Sequence, residues 1–332
     1  MLRPPADNTL LDTYRENLLS GKTDFPLQTT PSPKQGLLKD LPSPPEGRTG
    51  WPWTQETPPP QNLENPIKIS VIVISYQHGR YLEETLRSVL LQNYPNLEII
   101  VIDGGSTDET STILEKYRPW LSFVRSAPDR GQSHALNLGF SLASGTARGW
   151  INSDDYYLPK ALLRVNRIFQ DDTIEFSYGD GLNYFEETNK YQYCESFLAL
   201  DRYLQFGGLV MSHTVFWRDR VQETIWEEMQ CNVDGELWFR LLKGTKRYHL
   251  PLPLAVCRCQ PQAKTVNPKW DQAWRDDEHK IWPVHGYAPA PRHPIRYEFR
   301  YLQRYYQKWL ARKWREKRTQ FLADYYPEIT VP

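Results

Sequence analysis

"VIDGGSTDET", residues 101–110, runs an apolar stretch into an aspartate, two glycines and a cluster of hydroxyl and acidic residues. A strand that ends on Asp103 and passes at once into helix-capping residues reads as a β-to-α turn of a parallel sheet, whose carboxyl ends collect ligands. Gly104 and Gly105 allow close backbone approach, and Ser106 or Thr107 is placed to cap a helix beginning near Asp108. An ordinary turn with a good cap has the same composition, so this stretch alone leaves the function open.

The flanks repeat the unit. "IKISVIVIS" (67–75) is a β-branched run of the kind buried on both faces of a sheet, and Leu82, Leu86, Val89 and Leu90 in "YLEETLRSVLLQ" recur at helical spacing. "LEIIVID" and "TDETSTILEKY", "LSFVRS" and "HALNLGFSLAS", then "RGWIN" continue the alternation. Helices of this length between strands imply right-handed crossovers and an α/β fold with an open, mainly parallel sheet flanked by helices. A second strand end, "GWINSDDYYLP" (149–159), gathers Asn152, Ser153, Asp154 and Asp155. Neighbouring carboxylates repel, and a divalent cation with a phosphate-bearing substrate would explain them; a solvated acidic turn is the plainer alternative.

Over its 332 residues the chain balances 40 Lys and Arg against 40 Asp and Glu, which argues against a polyanionic partner such as nucleic acid. Four cysteines, with only Cys257 and Cys259 close together, make neither a disulfide framework nor a CxxC metal pair, so a reducing, cytoplasmic setting is expected. The first twenty residues lack the apolar core of a signal peptide, and no stretch of about eighteen apolar residues suits a membrane span. Residues 1–66 hold 13 of the 27 prolines and are expected to form an extended arm poor in regular structure. Within it, "GWPWT" (50–54) either docks its two tryptophans on the following domain or is a linker with incidental aromatics.

The segments "KISVIVISYQHGRYLEETLRSVLLQNYPNLEIIVIDGGSTDET" and "PDRGQSHALNLGFSLASGTARGWINSDDYYLP" resemble the nucleotide-binding half of family 2 glycosyltransferases, which have the GT-A fold. The resemblance covers roughly residues 67–260, dividing into a nucleotide-binding half (67–159) and an acceptor half (160–260), with a helical C-terminal extension over 261–332. It implies an inverting transferase that moves a sugar from a nucleoside diphosphate donor to a hydroxyl of a glycan or lipid-linked acceptor, with Mn²⁺ or Mg²⁺, in surface polysaccharide or exopolysaccharide assembly. Carried over by position, Ser75 and Tyr76 open onto the nucleotide and Asp103 meets the base, while Asp129, Arg130 and Asn137 line the nucleoside side. "NSDD" stands where the family has Asp-x-Asp: Asp154 matches the second acid and is the expected metal ligand, Asn152 replaces the first, and Asp155 is left to share the metal. In "CNVDGELWFRLLKG" (231–244), Asp234 falls on the position of the general base. Glu236 is its competitor, and Trp238 and Arg240 would support the sugar and diphosphate. By periodicity alone, that segment is a capped amphipathic helix with Leu237, Leu241 and Leu242 turned inward. His213 falls on the acceptor side or is a structural histidine. Gln260 stands where relatives often have histidine.

Two other classes fit parts of the chain. A dinucleotide-dependent oxidoreductase shares the βαβ pattern, but "SYQHGRY" follows the first strand where G-x-G-x-x-G is needed. A catalytically silent nucleotide-sugar binding module is suggested by Asn152. Finally, residues 292–318 carry ten Lys or Arg against two Glu. Ile295, Phe299, Leu302, Tyr306, Trp309 and Leu310 recur at helical spacing beside a basic stripe. Such a helix suits the surface of an anionic membrane, on its inner face, or packs its apolar side on the catalytic domain.

Overall fold

The structure, a computed structural model, describes residues 8–20, 35–196, 210–285 and 295–325. One sheet organises it, from strands β1 (Ile69–Ser75), β2 (Leu97–Asp103), β3 (Phe123–Ser126), β4 (Ala147–Asn152), β5 (Tyr156–Tyr157), β6 (Phe176–Phe185), β7 (Lys190–Cys194), β8 (Val215–Arg218) and β9 (Arg247–Cys259). Their order is β3-β2-β1-β4-β8-β6-β9-β5, with β7 on β6. The first four run parallel; β8 enters antiparallel between β4 and β6, and β9 lies parallel to β6. This is the open, mainly parallel α/β sheet that the sequence pattern predicts.

Helices α2 (Gly79–Leu90), α3 (Thr110–Tyr117), α4 (Gln132–Leu142), α5 (Ala161–Phe169) and α6 (Val233–Leu241) cover the sheet. Every residue of β1 and β2 is buried, and their alternation divides the core. Val71, Val73, Ile99 and Val101 pack with Leu82, Leu86 and Leu162 on one face, while Ile72, Ile74, Ile100 and Ile102 pack with Leu136 and Leu237 on the other. Strands with two apolar faces can be covered on both sides, which is what a parallel sheet requires. Gly139 lets α4 lie close: a Cβ there would come within 2.3 Å of Ile72 Cγ2.

The proline-rich arm differs from expectation in two respects. Thr9–Leu19 forms helix α1, which packs on α4 through Leu11, Tyr14 and Leu18. No proline falls between Pro5 and Pro26, so the helix is permitted, and those three positions lie on one face. Residues 35–66 are irregular but docked. Trp53 is buried, Trp51 Nε1 donates to the Tyr157 carbonyl at 2.7 Å, and the wholly buried Arg87 donates to the carbonyls of Pro42, Pro52 and Trp53. The tryptophans of "GWPWT" are therefore anchors.

Helices α7 (Asp271–Val284) and α8 (Ile295–Tyr325) form the C-terminal extension. Asp277 of α7 accepts hydrogen bonds from the backbone N–H groups of Gln230, Cys231 and Asn232, just ahead of α6. Helix α8 lies on β9, where Pro251 and Pro253 cannot donate to the ladder and the β6–β9 register shifts on either side of Asp180. That irregularity leaves the buried Asp180 carboxylate to Arg318 of α8, at 2.8 Å.

Candidate active site

The carboxyl ends of the parallel strands finish almost level. Ser75 pairs with Asp103, Asp103 with Ser126, and Asn152 lies one residue short of that level, opposite Ile74. One edge of the sheet therefore presents Ser75, Asp103 and the Asn152–Asp155 turn together. Asp103 is fully buried and accepts from Ser106 N, Ser106 Oγ and Ser126 Oγ. Ser106 thus holds Asp103, and the capping expected of it falls to Asp108, which accepts from Thr110 N at 3.1 Å and from Gly79 N at 2.8 Å. Gly105 has φ +83°, a conformation that an L side chain resists, and a Cβ there would meet Pro128 N at 2.9 Å. Tyr76 is 63% exposed at this edge. A Cβ on Gly104 would lie 3.2 Å from the Tyr76 ring and 3.0 Å from Asp129 Oδ2, so the two side chains flank that glycine. Ser75 Oγ is buried with no partner among the described residues, a cost that a bound ligand or water would relieve.

The acidic pair divides its roles. Asp155 Oδ1 accepts from Arg258 N at 2.9 Å; Oδ2 accepts from Asn152 Nδ2 at 3.1 Å and lies 3.4 Å from His213 Nδ1. Burial opposes ionisation of Asp155, but His213 and these donors outweigh it and hold the carboxyl below its usual range. Asp154 is shifted the other way, raised by burial and by the adjacent Asp155 charge. One of its oxygens accepts from Gln260 Nε2 at 3.1 Å, and the other lies 3.8 Å from His78 Nδ1. Of the two carboxylates, Asp154 is the under-compensated one, and Asp155 is committed to the surrounding framework. Among the described residues no group of three or more His, Cys, Asp or Glu is arranged to hold a metal. A cation here suits Asp154 together with ligands from a diphosphate, the usual arrangement for Mg²⁺-like ions. Gln260, which replaces an expected histidine, joins this site through Asp154.

Helix α6 separates the two candidate bases. Glu236 is fully buried, bound by both its oxygens to Arg240 at 2.7 and 2.6 Å, with His285 Nε2 at 3.3 Å. Arg240 also meets Glu223 and the Thr224 carbonyl. The two expected site residues therefore spend their charges on each other. Asp234 keeps partial exposure and accepts from Gly235 N. Desolvation raises its carboxyl, and the positive field of His213 opposes the rise. His213, in contact with Asp155 and within electrostatic reach of Asp234, stands between the acidic pair and α6. Its Nε2 is buried without a partner among the described residues.

Three other expected residues are engaged elsewhere. Trp238 stacks on Trp150 at 5.4 Å and packs edge-on against Trp217 and Phe176 in the core. Asn137 is buried and exchanges hydrogen bonds with the Ile225 backbone, pinning the segment before α6. Arg130 pairs with Glu227 at 2.6 Å and meets Tyr14 of α1. Sequence reasoning missed His78 and Arg258, which surround the acidic pair. Arg258 Nε donates to the Asp154 carbonyl, and its guanidinium pairs with Glu84. Position on "AVCRC" gives no hint of this, because its partners are 104 and 174 residues away in sequence.

Residues 70–232 match the family model described as glycosyl transferase family 2. An uncharacterised glycosyltransferase of Rickettsia prowazekii is 30% identical over 203 residues, 57% of this chain and 62% of that protein. Another, of Nostoc sp., is 34% identical over 113 residues, 31% of this chain and 33% of that protein. The chain thus covers between a third and about three fifths of these relatives' length. The crystal structure of S. aureus TarS 1-349 in complex with UDP-GlcNAc superposes with a TM-score of 0.50 at 21% identity, covering 64% of this chain and 65% of that one. This is a likeness of fold.

Proposed function

We propose, from the match of residues 70–232 to the glycosyl transferase family 2 model, that the chain is an inverting glycosyltransferase acting on a nucleoside diphosphate sugar and a hydroxyl acceptor. The observation that carries this reading is the level strand edge, where Ser75, Asp103 and the under-compensated Asp154 converge. Ser75 and Asp103, with Tyr76 and Asp129 flanking Gly104, form the nucleoside end. Asp154 would hold Mn²⁺ or Mg²⁺, which would neutralise charge on the leaving diphosphate. Asp234 takes the proton of the acceptor hydroxyl as its oxygen bonds to the anomeric carbon from the face opposite the diphosphate. The bond from that carbon to the phosphate oxygen breaks, and the nucleoside diphosphate leaves with the electron pair. His213, beside Asp155 and near Asp234, keeps the metal side and the base side in fixed relation. The acceptor class in this reading is a glycan or lipid-linked glycan of surface polysaccharide or exopolysaccharide assembly.

The test is a thermal-shift panel of nucleoside diphosphate sugars with and without Mn²⁺, followed by assay of nucleoside diphosphate release. Ligand at about a hundred times its dissociation constant stabilises by about 2.7 kcal/mol. Metal-dependent stabilisation by one donor, with slow release of its nucleoside diphosphate, is expected; Asp154→Ala removes both the turnover and the metal dependence. Stabilisation without any release would favour the silent binding module that Asn152 suggests, and no stabilisation by any member would sink the reading.

A further inference from the structure

Helix α8 has two faces, and only one is covered by the described residues. Tyr306 Oη meets His249 Nδ1 at 2.9 Å, Leu310 is 2% exposed, Arg318 is fully buried, and Phe321 and Leu322 join the cluster around Tyr156 and Val256. Around the axis, at 3.6 residues per turn, a separate sector of about 140° holds Leu302, Tyr305, Lys308, Trp309, Arg312, Lys313 and Glu316. Its three large apolar residues are 43%, 66% and 47% exposed, and its four charged residues are exposed too. Lys313 Nζ lies 4.9 Å over the Trp309 ring, so cation and aromatic share one surface. The sequence left membrane binding and packing as alternatives for this helix. The docked face satisfies the packing requirement without using the aromatic–basic face.

We propose that this outer face of α8 seats the protein on an anionic lipid bilayer. Charge complementarity selects that occupant. Residues 292–318 carry +8 in a chain of zero net charge, so the remainder carries −8. An anionic surface therefore attracts α8 and repels the rest, which orients the molecule with α8 down. Tryptophan, tyrosine and leucine interleaved with lysine and arginine match the boundary between headgroups and acyl chains, where amphipathic rings settle and basic side chains reach phosphates. A nucleic acid would use the cations but gain little from Leu302. A second copy of the chain would cover the apolar trio but bring like charges together.

The test uses the full chain with vesicles of phosphatidylcholine alone or mixed with phosphatidylglycerol. Cosedimentation is expected with the mixed vesicles at low salt, and is expected to be lost near 1 M salt, where the Debye length is about 3 Å. Each basic residue near such a surface is worth roughly a five-fold factor. The triple variant Lys308→Gln, Arg312→Gln, Lys313→Gln should therefore lower the partition coefficient about a hundred-fold. Tyr305→Ala with Trp309→Ala should weaken binding at low salt as well. Equal binding to neutral vesicles, no binding to either, or indifference to the charge variant overturns the proposal, as does a dimer that Trp309→Ala abolishes. The salt series on the unaltered chain stands without any variant. Donor-dependent thermal stabilisation, read in the same variants, should be unchanged, so failure here leaves the transferase reading separate.

Discussion

At the scale of single residues, Asp234 and Glu236 show how context assigns a role that spacing cannot. Both sit in the first turn of α6, yet Glu236 is bound on both oxygens by Arg240 while desolvation raises the Asp234 carboxyl. A raised carboxyl is a stronger base once ionised, so Asp234→Asn should lower transfer by about 10²-fold or more while donor binding persists. Wild-type turnover should fall as pH drops through the raised value. A raised folded-state pKa also contributes stability that is complete below the unfolded value and lost as pH rises through the folded one. Ionised Asp234 is therefore a burden at neutral pH. Asp234→Asn should melt above wild type at pH 7, with the gain gone below about pH 4, the ordinary aspartate value. A variant that melts below wild type at every pH would make the residue structural. Asn152 invites a second test: Asn152→Asp removes the donor to Asp155 Oδ2 and adds a third carboxylate. Without metal this should cost on the order of 1–3 kcal/mol, and Mn²⁺ should raise its melting temperature more than that of wild type. Equal metal responses would count against a cation beside Asp154. The acids themselves were legible because each ends an apolar strand. Which acid is free was not, because that depends on Arg258, Gln260 and His213, contributed by later strands and turns.

Among elements, the strands and helices from β1 to β4 announce themselves by runs such as "SVIVIS" and by helical spacing, since burial on both faces demands uninterrupted apolar residues. The arm shows where such reading stops. Prolines correctly exclude regular structure over residues 35–66, but whether an irregular segment is docked depends on distant partners, here the Arg87 guanidinium. Arg87 is wholly buried, donates to three arm carbonyls and to Tyr117 Oη, and lies over the Trp53 ring at 5.6 Å. Arg87→Leu leaves those carbonyls without donors, at about 1–3 kcal/mol for each that stays buried. The expected result is a loss of about 3 kcal/mol or more in denaturant unfolding, with new protease cleavage confined to residues 35–66. An unchanged cleavage pattern would mean that the tryptophans hold the arm without Arg87.

For the whole molecule, the question is whether α8 is an appendage or part of the core built on the sheet. Asp180 is fully buried and accepts from Arg318, Tyr193 Oη at 2.7 Å, Ser196 N at 3.0 Å and His249 Nε2 at 3.0 Å. Arg318 also pairs with Glu195 and donates to the Pro251 carbonyl. The chain brings these groups together from β6, β7 and the residues after it, β9 and α8, and the sequence signals only the prolines that shift the β6–β9 register. Removing one partner of a buried ion pair costs about 3–5 kcal/mol, because the other charge is left in low dielectric. Arg318→Met should therefore destabilise by that amount, and adding Asp180→Asn should recover part of it, since the orphaned charge is then gone. Truncation before α8 should incur the same penalty and also expose the surface that Phe321 and Leu322 cover. Urea unfolding of the full chain should accordingly show one transition, with α8 and the sheet melting together. A separate early transition for α8, or a truncated chain that melts like wild type, would make the helix an accessory whose buried arginine contributes nothing to the core.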